Sequence, residues 1–359
     1  MTLTGLLFDR LAAPLLGLDI SSSSVKLVEL GRHRAGRLVL ERCAMEPLPA
    51  GSLIDGQVEN FEAVAQAIRR VIRVSGARAR QVAMALPSSA VITKRITLPA
   101  GLSAQALEAQ VEAEASQYIP FSLDEVSLDF CVVDAQAPAT DGVEVLIAAS
   151  RKERVQDRQG LAEAAGLRPV ILDIESYASR LAANRLVEAF TQEDSEPVVA
   201  LFELGAVTTA MQVISAGEVL YDREQAFGGA QLTQQIARAY GLTPDEAERR
   251  KRQQDLPDDY PSALLTPFVA GMAQEIARAL QFFFTSTAHH RVDAVLLAGG
   301  GASLPGLAEA VARQTSFTCQ LANPFEGMAL AAGVHAHALR SEAPAYLTAC
   351  GLALRRFLP

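Results

Sequence analysis

The amino-acid sequence predicts an α/β protein made of two duplicated domains, for three reasons. Strand and helix patterns alternate almost from end to end. Two strand–turn–strand units with an acid near the end of the first strand, LLGLDISSSSVKLVEL and VVALFELGAVTTAMQV, stand one in each half. The chain has 359 residues, 50% of them apolar, which is long for one compact domain and comfortable for two.

The elements follow in order. Leu3, Leu6, Leu7, Leu11 and Leu15 make an apolar helical stripe over an N-terminal segment, residues 1–14, suited to docking on the protein's own body or to contact with a membrane or partner. Asp9 and Arg10 interrupt it, no basic region precedes it, and no small-residue cleavage site follows, so it does not read as a signal peptide. LLGLDI, VKLVEL and RLVLERCAM are consecutive strands, separated by turn signals at Ser21–Ser24 and Arg34–Gly36. A helix over 60–75 opens on Asn60 and lines up Phe61, Val64, Ile68 and Ile72, and QVAMALP returns as a strand. Residues 88–150 then form a separate β–α–β–β block, with a helix from Ser103 to just before Pro120. A helix and the strand RPVILDI lead to the acidic connection TQEDSEP, 191–197.

The second half begins with PVVALFELGAVTTAMQV and continues into helix-rich sequence, FGGAQLTQQIARAYG, TPDEAERRKRQQ and a long segment from Ser262. In VDAVLLAGGGASLPGL a strand ends in three glycines, with a helix expected to start near Leu304. EGMALAAGVHAHAL and PAYLTACGLALRRF close the chain.

Composition narrows the function. A formal net charge of −9 and the lack of any Trp argue against nucleic-acid binding. The four cysteines show no CxxC or Cys/His metal spacing and suit a reducing compartment. No uncharged run approaches the ~20 residues that span a bilayer, so a cytoplasmic protein is expected.

Three places could hold an anion. Small residues at strand ends let backbone N–H groups approach a ligand, and a helix N-terminus adds its positive dipole end. Asp19 with Ser21, Ser22 and Ser23 forms one such turn, and Glu203 with Gly205 and Thr208 forms its counterpart. Gly299, Gly300 and Gly301 form the third. Two carboxylates facing one ligand, Asp19 and Glu203, suit hard Mg²⁺, often through water. Lys26 offers a point charge for phosphate oxygens. Neither GxxxxGK[ST] nor GxGxxG occurs, which excludes P-loop and dinucleotide-binding sites at sequence level.

These motifs, in this order, resemble the first phosphate, second phosphate and adenosine motifs of the actin-like ATPase superfamily. Within it, LLGLDISSSSVKLVEL, YIPFSLDEVSLDF, FGGAQLTQQIA, AERRKR and GLALRRF resemble the PilM family of type IV pilus assembly proteins, an FtsA-like branch. The resemblance covers essentially the whole chain. It implies an actin-like fold in which two α/β domains flank a nucleotide cleft. The first domain would comprise 15–87 and 151–190, with 336–359 packing back on it. Residues 88–150 would be an FtsA-like inserted subdomain, and 197–335 the second domain, with a small helical subdomain at about 228–262.

The resemblance further implies ATP and Mg²⁺ as ligands. Asp19 would lie near the metal, Ser22 and Lys26 on the phosphates, and Gly205 and Thr208 on the opposite loop. Gly228 and Gly229 would form the strand–helix turn of the second half, Lys251 would reach ribose and adenine, and Gly299 to Gly301 would line the adenosine. Asp173 and Glu175 both remain candidates for positioning an attacking water. The chain departs from the family pattern at Glu203, where Asp is usual. A side chain one C–C bond longer disturbs an octahedral Mg²⁺ shell near ~2.1 Å, so weak or no ATP hydrolysis is expected. The implied partner is the N-terminal cytoplasmic peptide of a PilN-like inner-membrane protein, held beside the inserted subdomain, with Leu107, Val111, Tyr118 and Phe121 as groove candidates. The cytoplasmic pilus ATPases are further implied partners. A small-molecule kinase would need a catalytic base beside a phosphate turn, and no DG-type acid stands there. Self-association into an FtsA-like filament stays open as an alternative.

Overall fold

The computed structural model describes residues 13–33, 36–133, 142–190, 196–334 and 336–358. Leu3, Leu6, Leu7 and Leu11 of the N-terminal stripe lie outside the described residues, as does most of the acidic connection.

In the first half, β1 (Leu15–Ile20), β2 (Ser24–Arg32) and β3 (Leu38–Pro47) form an antiparallel meander. A short hairpin, β4 (Leu53–Ile54) and β5 (Gln57–Val58), leads to α1 (Phe61–Ser75), whose first turn is capped by the Asn60 side chain accepting from the Ala63 N–H. β6 (Gln81–Leu86) then pairs in parallel beside β1. After the inserted block come α3 (Lys152–Ala164), β10 (Arg168–Ile174) and α4 (Glu175–Val187). The sheet order is β10-β6-β1-β2-β3, closed at its far edge by β16 (Ala329–Leu330), a strand contributed by late sequence.

All six residues of β1 are buried because both sheet faces are covered. Leu16, Leu18 and Ile20 pack in one core with Val64 and Ile68 of α1 and Leu161 of α3. The other face lies against α4 and a C-terminal helix, α10 (Leu347–Leu354). There Gly17 is required: a Cβ would stand 2.1 Å from the Ala349 carbonyl oxygen. Gly351 is tighter still, with its Cβ position 1.7 Å from the Ala178 carbonyl oxygen. Two glycines thus let α10 sit between β1 and α4 at backbone contact.

The second half repeats the pattern. β11 (Val199–Leu204), β12 (Thr209–Ser215) and β13 (Glu218–Gln225) form the meander, and β14 (Ala294–Ala298) and β15 (Thr318–Leu321) extend it in parallel. The order β13-β12-β11-β14-β15 matches β3-β2-β1-β6-β10 strand for strand and sense for sense. The two similar sequence stretches are therefore equivalent parts of a duplicated unit. Helices α5 (Ala230–Tyr240), α6 (Pro244–Gln253), α7 (Thr266–Ser286) and α8 (Leu307–Thr315) surround this sheet, and α9 (Ala336–Glu342) precedes α10. α8 begins at Leu307, three residues later than the sequence suggests. Pro305 holds Leu304 in an extended conformation, and a 3-10 turn over Gly300–Ser303 fills the space after the strand.

The inserted block is a three-stranded antiparallel sheet in the order β7 (Ile92–Leu98), β9 (Val143–Arg151), β8 (Val126–Val132), covered by α2 (Ala104–Tyr118). It has its own core of Leu98, Val111, Ala115, Ile119, Val145 and Ile147. Among the described residues, no helix is long and apolar enough to cross a membrane.

Candidate functional site

The two meanders turn in the same way. The Ser21 N–H donates to the Ser24 carbonyl at 3.0 Å, and the Gly205 N–H donates to the Thr208 carbonyl at 2.9 Å. Counting back from each turn aligns Asp19 with Glu203. Ser22 and Ser23 hold the tip of the first turn, half-buried.

Register explains why these two acids differ. Asp19 faces Lys26 across the β1–β2 ladder, and Lys26 Nζ donates to Asp19 Oδ2 at 2.7 Å and to Ser21 Oγ at 2.9 Å. Both side chains of this pair are only 7% exposed. Glu203 faces Ala210 instead and has no cation across its ladder. Two hydroxyls serve it: Ser179 Oγ of α4 donates to Oε2 at 2.9 Å, and Thr348 Oγ1 of α10 at 3.3 Å. Ser179 and Thr348 stand 3.0 Å apart, so one carboxylate of the second half is held by two helices packed on the first. Burial pushes the Glu203 carboxyl up to about 7, against the hydrogen bond from Ser179 and with the help of Asp19.

Glu175 opens α4, one turn before Ser179. Burial and the Asp19 charge push its carboxyl up to about 8, against the opposing pull of Arg158 and Lys26. Asp173, the other candidate from sequence, is engaged elsewhere: Arg355 Nε donates to its Oδ2 at 2.6 Å. Arg158 of α3, 2% exposed, completes the cluster. Its Nη1 lies 3.5 Å from the carbonyl oxygen of Ile20, the last residue before the first turn, and its Nη2 has no hydrogen-bond partner among the described residues. Asp19, Glu175, Glu203, Lys26 and Arg158 therefore share one polar centre between the halves.

The glycines on the second side let backbone pack directly on backbone. The Gly229 N–H donates to the Gly205 carbonyl at 3.0 Å, and the Ala230 N–H donates to the Ala206 carbonyl at 2.8 Å. A Cβ at Gly228 would stand 2.5 Å from the Ala206 oxygen. Gly299 has φ +81°, and its Cβ would meet the Leu204 oxygen at 2.5 Å. Gly301 packs on Leu204, while Gly300 faces open space.

Lys251 takes part in a contact between α5 and α6. Its Nζ donates to Thr233 Oγ1 at 2.7 Å and pairs with Glu248 at 2.5 Å. Burial would raise the Glu248 carboxyl, but Lys251 and the hydrogen bonds around it prevail and lower it to about 2.

One groove candidate is corrected. Val111 is fully buried in the core of the inserted block and cannot line an open groove, because its helix face is the one turned to the sheet. Leu107 and Phe121 pack on the margin of the same core, half-buried. Tyr118 is 46% exposed, with Lys94 Nζ 5.0 Å from its ring centre. Sequence reading missed Ser179, Thr348 and Arg158. Ser179 had a signal, since it lies four residues after Glu175 on one helix face; Thr348 and Arg158 had none.

The residues present fit a nucleotide with a divalent ion. Two turns carry equivalent acids, Lys26 and Arg158 are buried cations beside them, and Arg158 carries a buried donor without a hydrogen-bond partner among the described residues. Among the described residues, no group of three or more His, Cys, Asp or Glu could enclose a metal, so the ion would rest on carboxylates, water and ligand oxygens.

Duplicated meanders, an interdomain polar centre and tightly packed glycine turns define a protein of the actin-like ATPase fold. The structure of the ethanolamine utilization protein EutJ from Carboxydothermus hydrogenoformans superposes with TM-score 0.53 at 18% identity, over 94% of this chain and 88% of that one. A diol dehydratase-reactivating factor, in nucleotide-free form, gives TM-score 0.54 at 12% identity, over 96% and 99%. The cell division protein FtsA of Agrobacterium fabrum is 24% identical over 202 residues, 49% of this chain, and the match spans 43% of that protein's length. The chain belongs to the family of the type IV pilus assembly protein PilM, whose model matches residues 17–357. A solved PilM–PilN type IV pilus biogenesis complex is similar at 31% identity with TM-score 0.79, over 98% of this chain and 100% of that one.

Proposed function

We propose that the protein is an ATP-binding scaffold of type IV pilus assembly, which holds the N-terminal cytoplasmic peptide of a PilN-like inner-membrane protein beside its inserted subdomain. The observation that carries this reading is the full-length likeness to the PilM–PilN structure, joined to an interdomain centre whose chemistry suits a nucleotide with Mg²⁺. In this reading Asp19 and Glu203 hold the ion from opposite halves, largely through water. The turns at Ser21–Ser23 and Gly205–Thr208, with Lys26, receive the phosphates. Gly228, Gly229 and Gly299 to Gly301 bound the nucleoside, with Lys251 at its margin.

Glu203 in place of the usual Asp, bound by two hydroxyls, favours holding ATP over turning it over. The nucleotide would then fix the angle between the halves, because Glu203 is tied to both α4 and α10. Leu107, Tyr118 and Phe121 are the surface residues proposed to meet the peptide.

Calorimetric titration with a peptide copying the N-terminus of the PilN-like protein from the same genome, with and without Mg-ATP, tests this reading. Micromolar or tighter binding supports it, and a change of affinity with Mg-ATP measures the coupling between the two sites. No binding in either state would remove the scaffold reading.

A further inference from the structure

The end of the first sheet farthest from the cleft is rich in arginine. β1, β6 and β10 all begin there, at Leu15, Gln81 and Arg168, which are register partners or neighbours in the parallel ladder. β2 ends there at Arg32, paired with Leu38 at the start of β3. The same strands finish at the opposite end, in the turn at Ser21 and the N-terminus of α4 at Glu175. β1 separates the two ends by about 17 Å, at about 3.3 Å per residue.

Arg32, Arg37, Arg73, Arg78, Arg80 and Arg168 are all exposed at this end. Arg73 arrives through the last turn of α1, and the Arg168 N–H donates to the Arg80 carbonyl at 2.7 Å. Among the described residues, the acids exposed between them are Glu41, Glu163 and Glu326. In a chain of net charge −9, this concentrates positive charge at one pole.

Apolar side chains are exposed between the arginines: Val74 at 66%, Val170 at 43% and Leu358 at 43%. Val170 is the extra residue where the β10–β6 register shifts between Pro169 and Ile171. The Phe357 ring lies under the Arg32 guanidinium, 4.7 Å from its centre.

We propose that this pole is a docking surface for an anionic phospholipid bilayer. The arginines are spread across five strands, about 19 Å at about 4.8 Å per strand, which suits an extended field of headgroups more than one phosphate. Arginine interspersed with exposed aliphatic residues is the composition of a surface that rests at the headgroup level. Pro14, just before β1, also stands at this pole, beside Arg32 and Arg78. Docked this way, the molecule turns its interdomain cleft away from the membrane.

The test is flotation of the full-length protein with vesicles of phosphatidylglycerol and phosphatidylcholine, against vesicles of phosphatidylcholine alone. Arg73, Arg78 and Arg168 make no side-chain hydrogen bond or ion pair among the described residues, so a triple variant R73Q/R78Q/R168Q should fold normally. Each arginine near an anionic leaflet is worth about fivefold in partitioning, so the variant should bind about a hundredfold more weakly. Binding should also fall as salt rises. The control R238Q/R249Q/R313Q, on helices of the second half, should float like the parent. Failure of the parent to float with anionic vesicles, or equal flotation of the parent and the first variant, would overturn the proposal. So would arginine-dependent binding to an acidic peptide such as polyglutamate without vesicle binding. Neither nucleotide nor the PilN-like peptide enters this experiment, so its failure leaves the scaffold reading untouched.

Discussion

Replacing Glu203 with Gln should change how stability depends on pH. The folded protein holds this carboxyl at about 7, against an ordinary 4.5, chiefly through burial. A carboxyl with a raised folded value binds its proton more tightly when folded. Its contribution to stability is therefore fully present below about 4.5 and is lost as pH rises through about 7. The difference between those values corresponds to about 3 kcal/mol, at about 1.4 kcal/mol per unit. Gln keeps an acceptor for the Ser179 and Thr348 hydroxyls but never ionises. Urea unfolding of parent and Glu203→Gln at pH values from 4.5 to 8 isolates this effect, because every other titrating group is shared. The variant should gain about 3 kcal/mol on the parent across that range. Parallel stability curves would refute the reasoning, because they would mean that Glu203 titrates alike folded and unfolded.

Other perturbations test other parts of the account. Asp19→Asn leaves Lys26 buried without its carboxylate and should cost about 3–5 kcal/mol, read by chemical denaturation. Gly351→Ala drives a methyl group into the Ala178 carbonyl and should cost about 1–3 kcal/mol or more, with α10 displaced from α4; an unchanged melting temperature would contradict that contact. Tyr118→Ala removes an exposed ring and a cation–π contact, so stability should fall by less than about 1 kcal/mol while peptide affinity in the calorimeter drops. Ile147→Ala in the core of the inserted block should instead cost about 2–5 kcal/mol, and a negligible cost would mean that this core is not packed as described.

Much of the fold was legible because local signals and burial agree. Asn60 and Ser103 cap their helices as expected, since an oxygen-bearing side chain there meets an otherwise unpaired N–H. The duplication was visible in the order acid, small turn, apolar strand, and the matching strand orders give that pattern its physical meaning. Less legible was whatever depends on long-range contact. The start of α8 moved because Pro305 outweighs the helical pattern around it. Val111 belongs to a helix stripe whose spacing cannot tell a core face from a groove face; only the sheet beneath decides. Thr348 reaches Glu203 across 145 residues, and Arg158 reaches the Ile20 carbonyl across 138, distances at which sequence carries no signal. Nor could sequence show that Asp173 is paired with Arg355, a residue at the other end of the chain.

Asp19 and Glu203, equivalent residues of duplicated hairpins, are proposed to meet one nucleotide between the halves. A double-mutant cycle on Mg-ATP affinity tests it directly, with Asp19→Asn, Glu203→Gln and the double variant, each first shown to be folded. The expected outcome is binding by the parent, a loss of about tenfold or more in each single variant, and a coupling energy of at least about 1 kcal/mol. Parent affinity retained in both single variants would place the nucleotide elsewhere, and losses that simply add would mean that the two residues do not meet one ion or ligand group.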